Sequence, residues 1–111
     1  MENETTARYF ALADKLKAAD AAVQCDYHPK RKRFGSAGEL KIENKIFAFL
    51  LRGRLVVKLP KERVDDLQQA GVGEPCTMGN RVMKQWFAIH AAEVDWFVLA
   101  EEAKAFVLSK L

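Results

Sequence analysis

Four consecutive cations, Lys30, Arg31, Lys32 and Arg33, flanked by Tyr27 and Phe34, form the densest charge cluster of the chain. Ammonium and guanidinium groups at this density neutralise phosphates, and that electrostatic term supplies much of the affinity of proteins for nucleic acid. The plainer reading is a solvated charge run that keeps a sheet edge from pairing with another chain. Arg52, Arg54 and Lys58 fall in neighbouring hairpins and are candidates for the same surface. Those seven residues are therefore the expected nucleic-acid contacts. Arg81, Lys84 and Trp86 make a second basic-aromatic set, in which the indole has a face for base stacking. An aromatic residue in a strand is nevertheless more often a core residue.

Catalytic chemistry is not announced in the same way. Asp65-Asp66 and Glu101-Glu102 are adjacent pairs, so their carboxylates diverge around a helix instead of sharing a substrate. Ser36 and Ser109 lack a nucleophile-elbow context. Gly35-Ser36-Ala37-Gly38 has no lysine followed by a hydroxyl, as a phosphate-binding loop would. His28 stands among cations that disfavour its protonation, and His90 is isolated. Cys25 and Cys76 lie 51 positions apart without a CxxC motif, which reads as two free, packed thiols. A zinc site would need ligands gathered from scattered places. The expectation is a protein that is not an enzyme, with no catalytic residues, no metal and no cofactor.

The formal charge of +3 hides a strong segregation. Residues 30–63 carry eleven basic and three acidic side chains, against three and five before them and four and seven after. With 111 residues, half of them hydrophobic, one domain with its own core is expected over 1–111. The longest apolar stretch, Ile46 to Leu51, has six residues, far short of the roughly 20 a membrane span requires. Met1-Glu2-Asn3-Glu4 is acidic and polar, unlike the start of a signal peptide. A cytoplasmic protein without membrane attachment is expected.

These residues must be held by elements that periodicity outlines. Tyr9, Leu12, Leu16, Ala19 and Val23 share one helical face, with Thr5 or Thr6 as cap and Pro29 as terminator. Glu39 to Glu43 alternates as a half-buried strand, and Asn44 sits at the turn that follows. Ile46 to Leu51 is apolar on both faces and predicts a central strand covered on each side. Leu55 to Leu59 follows a glycine turn at Arg52-Gly53-Arg54 and completes an antiparallel meander. Pro60 opens a short helix with Val64, Leu67 and Ala70 inward, and Gly71 ends it. Val72 to Pro75 reads as loop, Cys76 to Met78 as a short strand, and Lys84 to His90 as a longer one. Trp96, Leu99, Ala100, Ala103, Phe106, Val107 and Leu111 form the stripe of a last helix, with Phe97 a candidate dimer contact. Strands clustered in this way, not alternating with helices, predict an α+β fold: helix, three-stranded antiparallel meander, helix, two strands, helix.

The local sequences that carry this order resemble the N-terminal domain family of TfoX, the bacterial competence regulator. The resemblance runs from about Lys32 to Phe106. It rests on Arg33-Phe34-Gly35 leading into Gly38-Glu39-Leu40, on Lys45 to Leu50, and on Gly53 to Pro60. It continues through Gly73-Glu74-Pro75, Arg81 to Trp86, Trp96, and Leu99 to Ala103. The chain departs from the family at Arg33, where methionine is usual, at Asn44, where glycine is, and at Cys76, where phenylalanine is. The resemblance implies the same order of elements, kinship with YjbR-like proteins, and a bacterial regulatory role with DNA binding through the sheet. The competence regulator carries a second, C-terminal domain, whereas this chain ends with the first, so the resemblance is to a stand-alone member and does not carry a competence role over. DNA is the first expected partner. The alternative is a protein-interaction adaptor or chaperone-like homodimer that binds no nucleic acid.

Overall fold

The apolar spacing of Tyr9, Leu12 and Leu16 winds the first segment into a helix, α1 (Glu2–Ala19), and all three side chains are buried. This computed structural model describes residues 2–25, 39–51, 54–78, 80–89 and 94–110. Thr5 and Thr6 lie within α1, not at its cap. The helix stops before the stripe does, because the Asp20 carboxylate accepts the Ala22 N–H at 3.0 Å and the Asp20 carbonyl accepts the Val23 N–H at 3.1 Å. Aspartate offers the backbone an alternative to further helical bonds. The turn delivers Val23 to the core and leads into a two-residue strand, β1 (Gln24–Cys25), which periodicity did not signal.

The meander follows as expected: β2 (Leu40–Ile42), β3 (Lys45–Leu51) and β4 (Arg54–Lys58), paired antiparallel in sequence. Leu40 and Ile42 point inward and Lys41 does not, as alternation requires. Glu43 (φ 51°) and Asn44 (φ 63°) make a two-residue loop with both residues left-handed, the backbone that matches the twist of a hairpin. Helix α2 (Lys61–Gln69) has Pro60 one position before its first turn and closes with a complete glycine C-cap. Gly71 (φ 78°) donates to the Gln68 carbonyl and Val72 to that of Leu67.

The next strand, β5 (Gly73–Met78), takes in the Gly73-Glu74-Pro75 segment expected as loop. Edge position explains the difference, since a proline there leaves no ladder bond unmade. Gly73 is required for another reason: a Cβ on it would sit 2.1 Å from the Ala88 carbonyl oxygen. β6 (Arg81–Ile89) begins earlier than its apolar residues indicate, because its first five residues are exposed or half-buried. The sheet has the order β1-β2-β3-β4-β6-β5 and is antiparallel throughout. Helix α3 (Trp96–Ser109) starts at Asp95, whose Oδ1 accepts the Phe97 N–H at 2.9 Å.

The three helices of the described residues pack on one face of the sheet. α3 lies across β3 and β4, α2 against β5 and β6, and α1 rests on α3. The main core joins Leu12, Leu16, Leu67, Leu99 and Val107 from the helices to Leu40, Leu55, Val57 and Phe87 from the strands. Burying each such side chain contributes about 1.5–3 kcal/mol. Ion pairs tie the helices at the rim. Arg63 and Glu102 form a two-pronged pair at 2.9 and 3.1 Å, and Lys104 reaches Asp20 at 3.3 Å and Glu101 at 3.2 Å. No helix among the described residues is long and apolar enough to cross a membrane.

Candidate nucleic-acid interface

Two irregularities in the sheet build its second face. Leu40 pairs with Ala48 but Lys41 pairs with Ile46, so β3 carries one extra residue, Phe47. At such a bulge two successive side chains take the same side. Phe47 and Ala48 both enter the main core with no exposure, and Ile46 and Phe49 are left to the other face. The second bulge lies between β5 and β6. Pro75 pairs with Phe87 and Cys76 with Met83, so Lys84, Gln85 and Trp86 face no partner on β5. That segment turns to β4 instead: Trp86 pairs with Lys58, and Gln85 accepts the Leu59 N–H at 2.9 Å.

Alternation along β4 puts Arg54, Val56 and Lys58 on this second face, away from Leu55 and Val57. A small cluster of Val56, Cys76 and Ala88, with Phe49 and Trp86 packed against it, forms there from strand residues alone. Among the described residues no helix contributes to it. β3 is thus central but only partly covered on this side, with Phe49 half-buried and Ile46 36% exposed. Cys76 is buried, with its Sγ 3.9 Å from the Thr77 carbonyl oxygen. The Phe49 and Trp86 rings stand 5.4 Å apart, tilted by 54°, and the Lys58 ammonium lies 5.5 Å from the Trp86 ring centre.

Beside Trp86 opens a hollow of ≈ 620 Å³ lined by Lys58, Lys61, Arg81 and Lys84 together with Met83 and Trp86. Among the described residues four cations and no carboxylate line it. Of the seven expected contacts, Lys58 belongs here. Arg54 sits at the other end of β4, about 13 Å away at 3.3 Å per residue, and its guanidinium is offset by Glu74 at 3.3 Å. Lys30, Arg31, Lys32, Arg33 and Arg52 lie outside the described residues, as do Tyr27, Phe34, His28 and His90. The structure therefore joins Lys58 to the second basic-aromatic set and not to Arg54. Lys61 was not singled out in the sequence, where Pro60 marks the opening of the helix; its place three positions beyond Lys58, just past the end of β4, was the available signal.

Elsewhere several charged groups are committed to structure. The Asp20 carboxyl is held below its ordinary range, first by the Ala22 N–H and then by Lys104. Arg63 is raised above its ordinary value by its hydrogen bond to Glu102. Glu102 thus joins α3 to α2 through Arg63, whereas Glu101 pairs within α3 with Lys104. Trp96 is buried with the Arg8 guanidinium 4.0 Å from its ring, and Phe97 is half-buried with the Lys15 ammonium 4.5 Å from its own. The described residues include no group of three or more histidine, cysteine, aspartate or glutamate side chains placed to hold a metal ion.

Fold and surface together define an α+β domain with helices on one face of an antiparallel sheet and a cationic aromatic patch on the other. Comparison of the chain with protein-family models, curated proteins and solved structures finds no match.

Proposed function

We propose that this chain is a cytoplasmic, non-enzymatic regulatory module of the TfoX N-terminal type that associates with nucleic acid through the second face of its sheet. The observation that carries the reading is the gathering of Lys58, Lys61, Arg81 and Lys84 around the half-buried ring of Trp86. Phosphates are attracted by the four charges, and an unstacked base finds the indole face.

Binding of labelled single-stranded and duplex oligonucleotides, followed by anisotropy as salt is raised, tests this. Each phosphate contact contributes about 0.7 to the log–log salt slope for single strands and about 0.9 for duplex. The triple replacement Lys61→Gln, Arg81→Gln, Lys84→Gln should lower the single-strand slope by about 2, whatever the rest of the chain contributes. Arg54→Gln, whose charge is already offset, should leave it unchanged. A triple variant with wild-type affinity and slope would place the contact elsewhere. The adaptor reading draws on Val82 and Ile46, 54% and 36% exposed beside the same patch. It would be favoured by a salt-insensitive dimer that binds neither oligonucleotide.

A further inference from the structure

A second hollow, of ≈ 430 Å³, lies where the ends of β3 and β4 meet the C-terminal turn of α3. Its apolar wall includes Ile46, Trp86 and Phe106, and among the described residues its ionisable lining is Lys45, Lys58 and Lys110, with two side-chain amides and no carboxylate. Two of the ammonium groups sit beside aromatic rings, Lys58 at 5.5 Å from Trp86 and Lys110 at 5.5 Å from Phe106. None of the three lysines forms an ion pair with another described residue. The size is that of a small-molecule site, typically about 300–1,000 Å³ with an apolar lining and a few placed polar groups.

We propose that this hollow binds a small organic anion, a flat aromatic body carrying a carboxylate or phosphate head. The charge balance decides the class. The C-terminus of α3 contributes about half a negative charge at most, while the lysines bring three positive ones. A neutral or cationic ligand would leave the three ammonium groups without a counter-charge, and a bare inorganic anion would leave the apolar wall in water. An aromatic anion satisfies both. Trp86 and Lys58 belong to the wall shared with the nucleic-acid surface, whereas Lys45, Phe106 and Lys110 belong to this hollow alone. The proposal does not depend on nucleic-acid binding.

The test uses the whole chain, with naphthoate and adenosine monophosphate as probes and naphthamide and adenosine as their neutral counterparts. The chain has two tryptophans, so the Trp86 indole N–H reports the site and that of buried Trp96 is an internal control. Both anions should shift the Trp86 resonance saturably, with Kd below about 1 mM, and the neutral counterparts should bind at least about tenfold more weakly. Lys45→Gln with Lys110→Gln should weaken the anions about 25-fold, or about fivefold per lysine, and Lys45→Arg with Lys110→Arg should restore them. The triple variant at Lys61, Arg81 and Lys84 should bind them normally, which separates this site from the oligonucleotide surface. Equal affinity for the neutral counterparts, wild-type binding by the double glutamine variant, or no Trp86 shift up to about 10 mM anion would each overturn the proposal.

Discussion

Gly73→Ala is the sharpest test of how the sheet closes beside the candidate surface. The added Cβ would lie 2.1 Å from the Ala88 carbonyl oxygen and 2.9 Å from the Phe87 ring. Relief requires β5 to retreat from β6 by about 1 Å, since carbon–oxygen contacts below about 3 Å are repulsive. β5 is an edge strand and is free to move outward, but a retreat of that size breaks one or two ladder bonds. At about 0.5–1.5 kcal/mol each, the loss is about 1–3 kcal/mol. Reduced freedom of the unfolded chain returns about 0.4–1 kcal/mol, because the strain at this glycine is steric and not a left-handed backbone. At the centre of these ranges the net is about 1.3 kcal/mol, or a Tm lowered by about 5 °C for a domain of this size. Thermal and urea unfolding followed by circular dichroism would measure it. Gly71→Ala is the control: nothing lies within 4 Å of its Cβ, so its cost is confined to the positive φ of 78°. A Gly73→Ala variant within about 2 °C of wild type, with unchanged urea midpoint, would refute the close-approach argument.

Trp86→Ala should weaken single-stranded oligonucleotide binding about tenfold, from about 1–3 kcal/mol of lost stacking, and should affect duplex much less; anisotropy with both substrates gives the ratio. The Asp20 carboxyl is lowered by the Ala22 N–H and Lys104, so it stabilises the fold above its unfolded pKa, about 3.9, and that contribution disappears as pH falls through the lower folded value. Wild type should therefore lose more Tm than Asp20→Asn when pH is lowered from about 5 to about 3, in parallel thermal scans; equal losses would remove Asp20 from the acid response.

The legibility of this chain follows from where its regularities are local. Alternation at Leu40 and Ile42, the Asn44 turn, the Gly71 cap and the α3 stripe from Trp96 to Val107 each depend on neighbours in sequence, and each was readable. β5 was not, because Gly73 and Pro75 look like loop residues until an edge position and a close carbonyl are known. The bulge at Lys84 to Trp86 leaves no periodic trace, since three residues simply lose their β5 partners. The site was therefore half legible: its residue types stood out, but which cations share a surface depends on register between distant strands.

That register turns on β5. By approaching β6 closely at Gly73, the strand brings Glu74 within 3.3 Å of Arg54 and offsets the cation at one end of β4. Past Pro75 the same strand slips by three residues against β6, and Trp86 is released to lie beside Lys58 at the other end. The cations of this face are thereby uneven in space: among the described residues they are offset where β5 is in step and without an ion-pair partner where it is not. If β5 sets that polarity, Glu74→Gln should create a second cationic end at Arg54 and raise the oligonucleotide salt slope by about 0.7. An unchanged slope would mean that Arg54 lies beyond reach of a strand bound at Trp86, and that the contact surface ends at Lys58.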